Sequence, residues 1–229
     1  MRFVLVLLLV FSPMVSWAEG PRATAAAGLL QKGKGGFCSG VLIEADLVLT
    51  AAHCLFGKVD GRALEASDIV FRTGAYPGRI AEERRGIAFV RHPLFIIAKR
   101  AGQEETAFDL ALVRLDEGVS DTVATPLQVR EANANKGDKF LLATWPRGRG
   151  ERARERQCPL LAQDFDRLLV ECVVVQGESG GPVLWREGET FFLDAIMVAT
   201  TKINDRPAGL AVRRLQDRID AMMALLSAS

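Results

Sequence analysis

Gly177-Glu178-Ser179-Gly180-Gly181-Pro182 is a serine set among glycines and closed by a proline. Taken alone it satisfies G-x-S-x-G, the pattern of a tight strand-to-helix elbow that exposes a nucleophilic serine in α/β-hydrolases. Chain order removes that reading. The α/β-hydrolase arrangement places its histidine after the serine, whereas both histidines of this 229-residue chain, His53 and His92, precede Ser179. A mechanism built on Ser179 must therefore bring its base back from an upstream segment.

A serine hydroxyl is a weak nucleophile at neutral pH unless a base takes its proton as it attacks, and imidazole is the side chain whose ordinary pKa lies nearest that range. His53 closes Leu49-Thr50-Ala51-Ala52-His53, an apolar strand running into a small-residue turn, with Cys54 next. His92 lies in Arg91-His92-Pro93-Leu94-Phe95, where the proline restricts the backbone and a surface turn is expected. His53 is the stronger candidate. A third group should hold the imidazole in the tautomer that leaves its other nitrogen free. Asp109 opens Asp109-Leu110-Ala111-Leu112-Val113-Arg114-Leu115, and a carboxylate set against an apolar strand is costly without a partner. By itself Asp109 would read as a strand-end cap; with the other two segments it reads as the group that orients His53.

The whole chain is 49% hydrophobic, 25% charged and 7% aromatic, which excludes disordered and collagen-like classes. Its 29 basic and 28 acidic residues give a net charge of +1, so no global field draws it to nucleic acid or to an anionic membrane. Residues 1–18 begin Met1-Arg2, continue through an apolar run from Phe3, and end Ser16-Trp17-Ala18. That is the layout of a secretory signal peptide cut after Ala18, too short for a comfortable membrane span, and it implies a secreted or periplasmic protein with no stable membrane insertion afterwards. Loss of Arg2 leaves residues 19–229 formally neutral. Export makes Cys38, Cys54, Cys158 and Cys172 candidates for two disulfides. Four cysteines allow three pairings, and the local one, Cys38 with Cys54 and Cys158 with Cys172, closes the shortest loops and is preferred. No Cys-x-x-Cys pair occurs, so neither a metal nor another cofactor is expected.

Short apolar runs bounded by Gly, Pro, Asp or Asn recur along the chain, at residues 40–43, 47–50, 69–73, 86–91, 110–115, 140–144, 167–175, 182–185, 191–199 and 209–212. Many short strands without alternating long helices argue for an all-β protein. Residues 23–36 read as a small-residue lead ending in a glycine turn. Residues 98–108 and the arginine-rich 147–156 read as exposed loops, the second a solvated face rather than a docking patch because acids are interspersed. Leu215, Ile219, Met222 and Leu226 recur at helical spacing and predict one amphipathic helix over 213–227.

Leu49-Thr50-Ala51-Ala52-His53-Cys54, Asp109-Leu110-Ala111-Leu112 and Gly177-Glu178-Ser179-Gly180-Gly181-Pro182, in this order, resemble the three signature blocks of the chymotrypsin/trypsin-like serine proteases, in the style of exported bacterial members. The resemblance implies two antiparallel six-stranded β-barrels with a C-terminal α-helix, the barrels falling roughly at 19–120 and 121–212. It implies His53 as general base, Asp109 as orienting carboxylate, Ser179 as nucleophile, and the N–H groups of Gly177 and Ser179 as an oxyanion hole. It also implies that Cys38–Cys54 braces the histidine turn. The implied substrate is a protein or peptide, acted on by a monomer, and nucleic acid is not a partner.

Three departures qualify the resemblance. Glu178 stands where the family keeps an aspartate, and no Ile-Val-Gly-Gly start is present to supply an amino group to it, so an internal arginine is the expected counter-ion, with cleavage after Arg22 as the alternative. Val173, six residues before Ser179, implies an apolar specificity pocket rather than one for Arg or Lys. Val198 and Thr200 form its expected wall, in Ile196-Met197-Val198-Ala199-Thr200. Glu178 and the altered wall also motivate a competing reading, a catalytically silent protease-like binding module. An esterase without protein substrates is a third.

Overall fold

Period-two burial is the local cause of the strands: in Ile69–Thr73, for example, Ile69, Phe71 and Thr73 are buried and Val70 and Arg72 are half-exposed. The computed structural model describes residues 23–33, 36–57, 62–74, 82–95, 106–147 and 153–227. The proposed signal peptide, residues 1–18, and most of the loop expected at 98–108 lie outside them; Thr106–Phe108 is a 3-10 turn.

The first barrel contains β1 (Ala27–Lys32), β2 (Gly36–Glu44), β3 (Leu47–Thr50), β4 (Ile69–Thr73), β5 (Glu82–Arg91) and β6 (Ala111–Leu115). They close in the order β1-β2-β3-β6-β5-β4. The second contains β7 (Lys139–Thr144), β8 (Arg154–Gln163), β9 (Arg167–Val170), β10 (Pro182–Glu187), β11 (Thr190–Ile203) and β12 (Arg206–Val212). These close as β10-β11-β12-β9-β8-β7, and every strand pair in both barrels is antiparallel. The architecture is the all-β, two-barrel one implied by the signature blocks.

The interior of the second barrel forms its own cluster around Phe140, Leu142, Leu168 and Val170. The core of the first barrel instead runs on across the barrel interface, taking in Leu184, Ile196 and Val212 from the second. Helix α1 (Leu215–Leu226) follows β12 in sequence yet packs beside β5 and β6. Its Leu215, Ile219 and Met222 join the first core, each contributing about 1.5–3 kcal/mol relative to exposure. The helix thus straps the barrels together, which fixes the cleft between them.

Four expectations are corrected. The lead at 23–36 holds a strand, β1, whose Leu29 and Leu30 are buried. The arginine-rich segment is not loop throughout: residues from Arg154 onward enter β8, where Arg156, Cys158 and Leu160 face inward. Pairing with β7 and β9 supplies the backbone partners that local composition does not reveal. The strand read over 167–175 ends at Val170, because the Cys172 N–H turns back to the Val170 carbonyl (2.9 Å). His92 is not at the surface. It is 5% exposed and stacks on Phe108 with centroids 5.4 Å apart.

Candidate active site

Register brings the first two signature segments together. β3 pairs with β6 so that Thr50 lies opposite Ala111 and Leu49 opposite Leu112. The residues just after β3 and just before β6 therefore meet, although 56 positions apart in sequence. His53 sits in the 3-10 turn Ala52–Leu55, over Ala51 and Ala52, both wholly buried. Asp109 is held by both its oxygens: Oδ2 lies 2.6 Å from His53 Nδ1, and Oδ1 accepts the His53 backbone N–H at 2.8 Å. The Asp109 side chain is 7% exposed, the imidazole 37%. The short, largely dry contact fixes Nδ1 as the protonated nitrogen and turns Nε2 outward.

The third segment is delivered by the second barrel and bolted to the first. The Ser39 N–H in β2 donates to the Ser179 carbonyl at 2.7 Å. The Ser39 hydroxyl donates to the Gly177 carbonyl (2.9 Å) and accepts the Trp145 N–H (2.8 Å), while its own carbonyl accepts from Thr50 Oγ1 (2.8 Å). On the other side the Gly180 N–H reaches the Met197 carbonyl (2.7 Å) and the Met197 N–H reaches the Gly181 carbonyl (2.9 Å) in β11. Two disulfides, Cys38–Cys54 and Cys158–Cys172, are the local pairs. Cys54 Sγ lies 3.7 Å from His53 Nε2 and 3.9 Å from the Ser179 carbonyl oxygen, so one sulfur touches both segments.

The turn itself requires glycine. Gly177 and Gly180 have φ of +95° and +81°. A Cβ on Gly180 would overlap the Ser39 carbonyl oxygen and Thr50 Oγ1; one on Gly177 would overlap the Phe37 ring. Within the turn the Glu178 and Gly181 amides are used, by the Val175 and Glu178 carbonyls at 3.2 and 3.1 Å. No hydrogen bond formed among the described residues uses the N–H groups of Gly177 or Ser179.

Glu178 is completely buried between those two amides. Its Oε1 accepts from Thr144 Oγ1 (2.8 Å) and Arg156 Nη2 (2.5 Å), and its Oε2 from the Val175 N–H (2.8 Å). The expected internal arginine is therefore Arg156. Its other arm, Nη1, donates to the Val173 carbonyl at 2.5 Å. Val173 is 55% exposed, Val198 is 4% exposed and Thr200 is exposed opposite Gly209 on β12. Val198 sits where the β11–β12 register slips between Met197 and Ala199, a bulge of the kind that re-aims side chains beside active sites. Val174 and Met197 crowd Gly209, so that a Cβ there would overlap both side chains.

Ser39 and Thr144 escaped the sequence reading. Each is wholly buried and polar; the one local signal was Ser39 lying beside a half-cystine. His92 joins none of this. Its Nδ1 accepts the Leu94 N–H at 3.3 Å, and burial, with the nearby charge of Arg218, lowers its pKa to about 4.

A family model described as Trypsin matches residues 19–212. The chain belongs to the trypsin family. A solved structure of a Glu endopeptidase in complex with MPD superposes on it with a TM-score of 0.73, covering 90% of this chain and 93% of that one at 14% identity. The likeness is one of fold. No curated protein sequence matches significantly. As a trypsin-family member the chain is a serine protease by family and fold. In it Cys38, His53 and Cys54 cluster closely enough to hold a metal ion, but both sulfurs are spent in the disulfide. Among the described residues no helix is long and apolar enough to cross a membrane.

Proposed function

We propose that this chain is an exported serine endopeptidase that cleaves peptide bonds through Ser179, His53 and Asp109 and an acyl-enzyme. The observation that carries the reading is the two-point hold of Asp109 on His53, which leaves Nε2 as the free base on the side of the Ser179 turn. Ser179 Oγ attacks the scissile carbonyl while His53 Nε2 takes its proton. The Gly177 and Ser179 amides receive the oxyanion, a contribution worth roughly 100- to 1000-fold in turnover per donor. His53 then gives the proton to the leaving amine, and water, activated by the same imidazole, releases the acyl group. Asp109 stabilises the imidazolium throughout.

Exposed Val173 favours an apolar residue on the acyl side of the cleaved bond, with Val198 and Thr200 as the proposed pocket wall. A signal peptide ending at Ala18 delivers the chain to the periplasm or beyond, where it works as a monomer on protein or peptide substrates without a cofactor. Stoichiometric labelling of Ser179 by a fluorophosphonate, lost in Ser179→Ala, is the test. A folded wild-type chain that never labels would instead establish the silent binding module.

A further inference from the structure

We infer that Arg156 is a positioning residue that assembles the oxyanion loop from within the chain, so that the protein is catalytically competent without a liberated N-terminus. The inference rests on the proposed catalytic role of Ser179 and specifies how the turn around it is held.

Glu178 lies between the two residues whose amides are proposed to receive the oxyanion, so fixing its carboxylate fixes the peptide planes on either side. Its Oε1 accepts from Thr144 and Arg156 with Arg154 Nη1 4.0 Å away, its Oε2 accepts from the Val175 N–H, and the side chain has no exposure to water. A liberated amino group would have to enter a site closed to water and already holding the Arg156 guanidinium. The start of the described chain leads elsewhere. Thr24 Oγ1 donates to Glu155 Oε1 at 2.5 Å, and the Ala25 carbonyl accepts from Thr73 Oγ1. Glu155 and Arg156 are neighbours on β8 and project to opposite faces of the strand, so Thr24 is held on the face away from Glu178.

Arg156 also carries the link further. One guanidinium arm holds Glu178 and the other holds the Val173 carbonyl, six residues before Ser179. The same planar cation thus braces the oxyanion turn and the proposed pocket floor, a two-point role that suits a guanidinium better than an ammonium. Without it the buried carboxylate would keep only the more distant Arg154, whose Nη1 lies 4.0 Å from Oε1, and the turn would open to hydrate it.

The experiment compares two forms of the protein: one carrying a non-cleavable N-terminal extension, verified intact by mass, and one beginning at Ala23. Fluorophosphonate labelling of Ser179 is expected to proceed at rates within about threefold in the two. An extended form that labels at least 100-fold more slowly than the cut form overturns the inference and leaves the serine-protease mechanism standing. A folded protein in which neither form labels overturns both. In the extended form, Arg156→Gln is expected to lower kcat on a peptide anilide by roughly 100- to 1000-fold, the size of one lost oxyanion donor, with a smaller rise in KM as the Val173 carbonyl loses its anchor. Arg156→Lys is expected to recover part of that loss. A folded Arg156→Gln variant with undiminished kcat would overturn the role of Arg156, and the comparison of the two N-termini decides the inference even if that variant fails to fold.

Discussion

The hydroxyl of Ser39, in the first barrel, donates to the carbonyl of Gly177, in the second, across 2.9 Å of fully buried space. Since the same oxygen accepts the Trp145 N–H, one serine side chain satisfies two backbone groups of the other barrel. Ser39→Ala leaves both without a partner. The expected cost is about 1–3 kcal/mol in chemical denaturation, together with a fall of about tenfold or more in kcat as the Gly177 peptide loses its anchor. Unchanged stability would mean that water replaces the hydroxyl.

Asp109→Asn keeps the shape of the contact with His53 but sets an amide N–H where Nδ1–H must be accepted. The imidazole is then held in the wrong tautomer. Turnover is expected to fall about 10,000-fold with little loss of stability, and the rate of Ser179 labelling by fluorophosphonate should fall in step.

Cys158 and Cys172, 14 residues apart, tie β8 to the chain leaving β9, between Arg156 on one side and Val173 on the other. Replacing both with alanine is expected to lower the unfolding free energy by roughly 3 kcal/mol. Because the bridge braces the ends of the Arg156–Val173 contact, peptide turnover should drop more than in a variant of equal stability loss elsewhere in the second barrel.

His92 is buried as the neutral imidazole, with a pKa lowered to about 4 by burial. The unfolded chain binds its proton near pH 6.5 and the folded chain does not, so the contribution of His92 is complete above that value. It is lost progressively as pH falls from 6.5 towards 4, a loss of about 3 kcal/mol. Gln at position 92 keeps an acceptor for the Leu94 N–H and does not titrate. In thermal melts between pH 7 and pH 4, His92→Gln should lose less stability than wild type, and parallel curves would contradict the assignment.

Much of this protein is determined by local sequence alone. The order His53, Asp109, Ser179, the two close cysteine pairs and the short punctuated strands are read directly, because a turn that needs glycine or a strand that alternates must carry its signal in adjacent residues. What only the tertiary structure decided are the features whose stability depends on a partner far along the chain. β8 is written in charged residues and becomes a strand because β7 and β9 flank it. Arg156 turns inward, its side chain 12% exposed, because the Glu178 carboxylate lies 22 positions away to receive it, and Ser39 is buried because Gly177 lies 138 away. His92 is buried because Phe108 closes over it. A polar residue is tolerated in a core only when its hydrogen-bond partners are already in place, and a linear chain does not show which distant groups will be there.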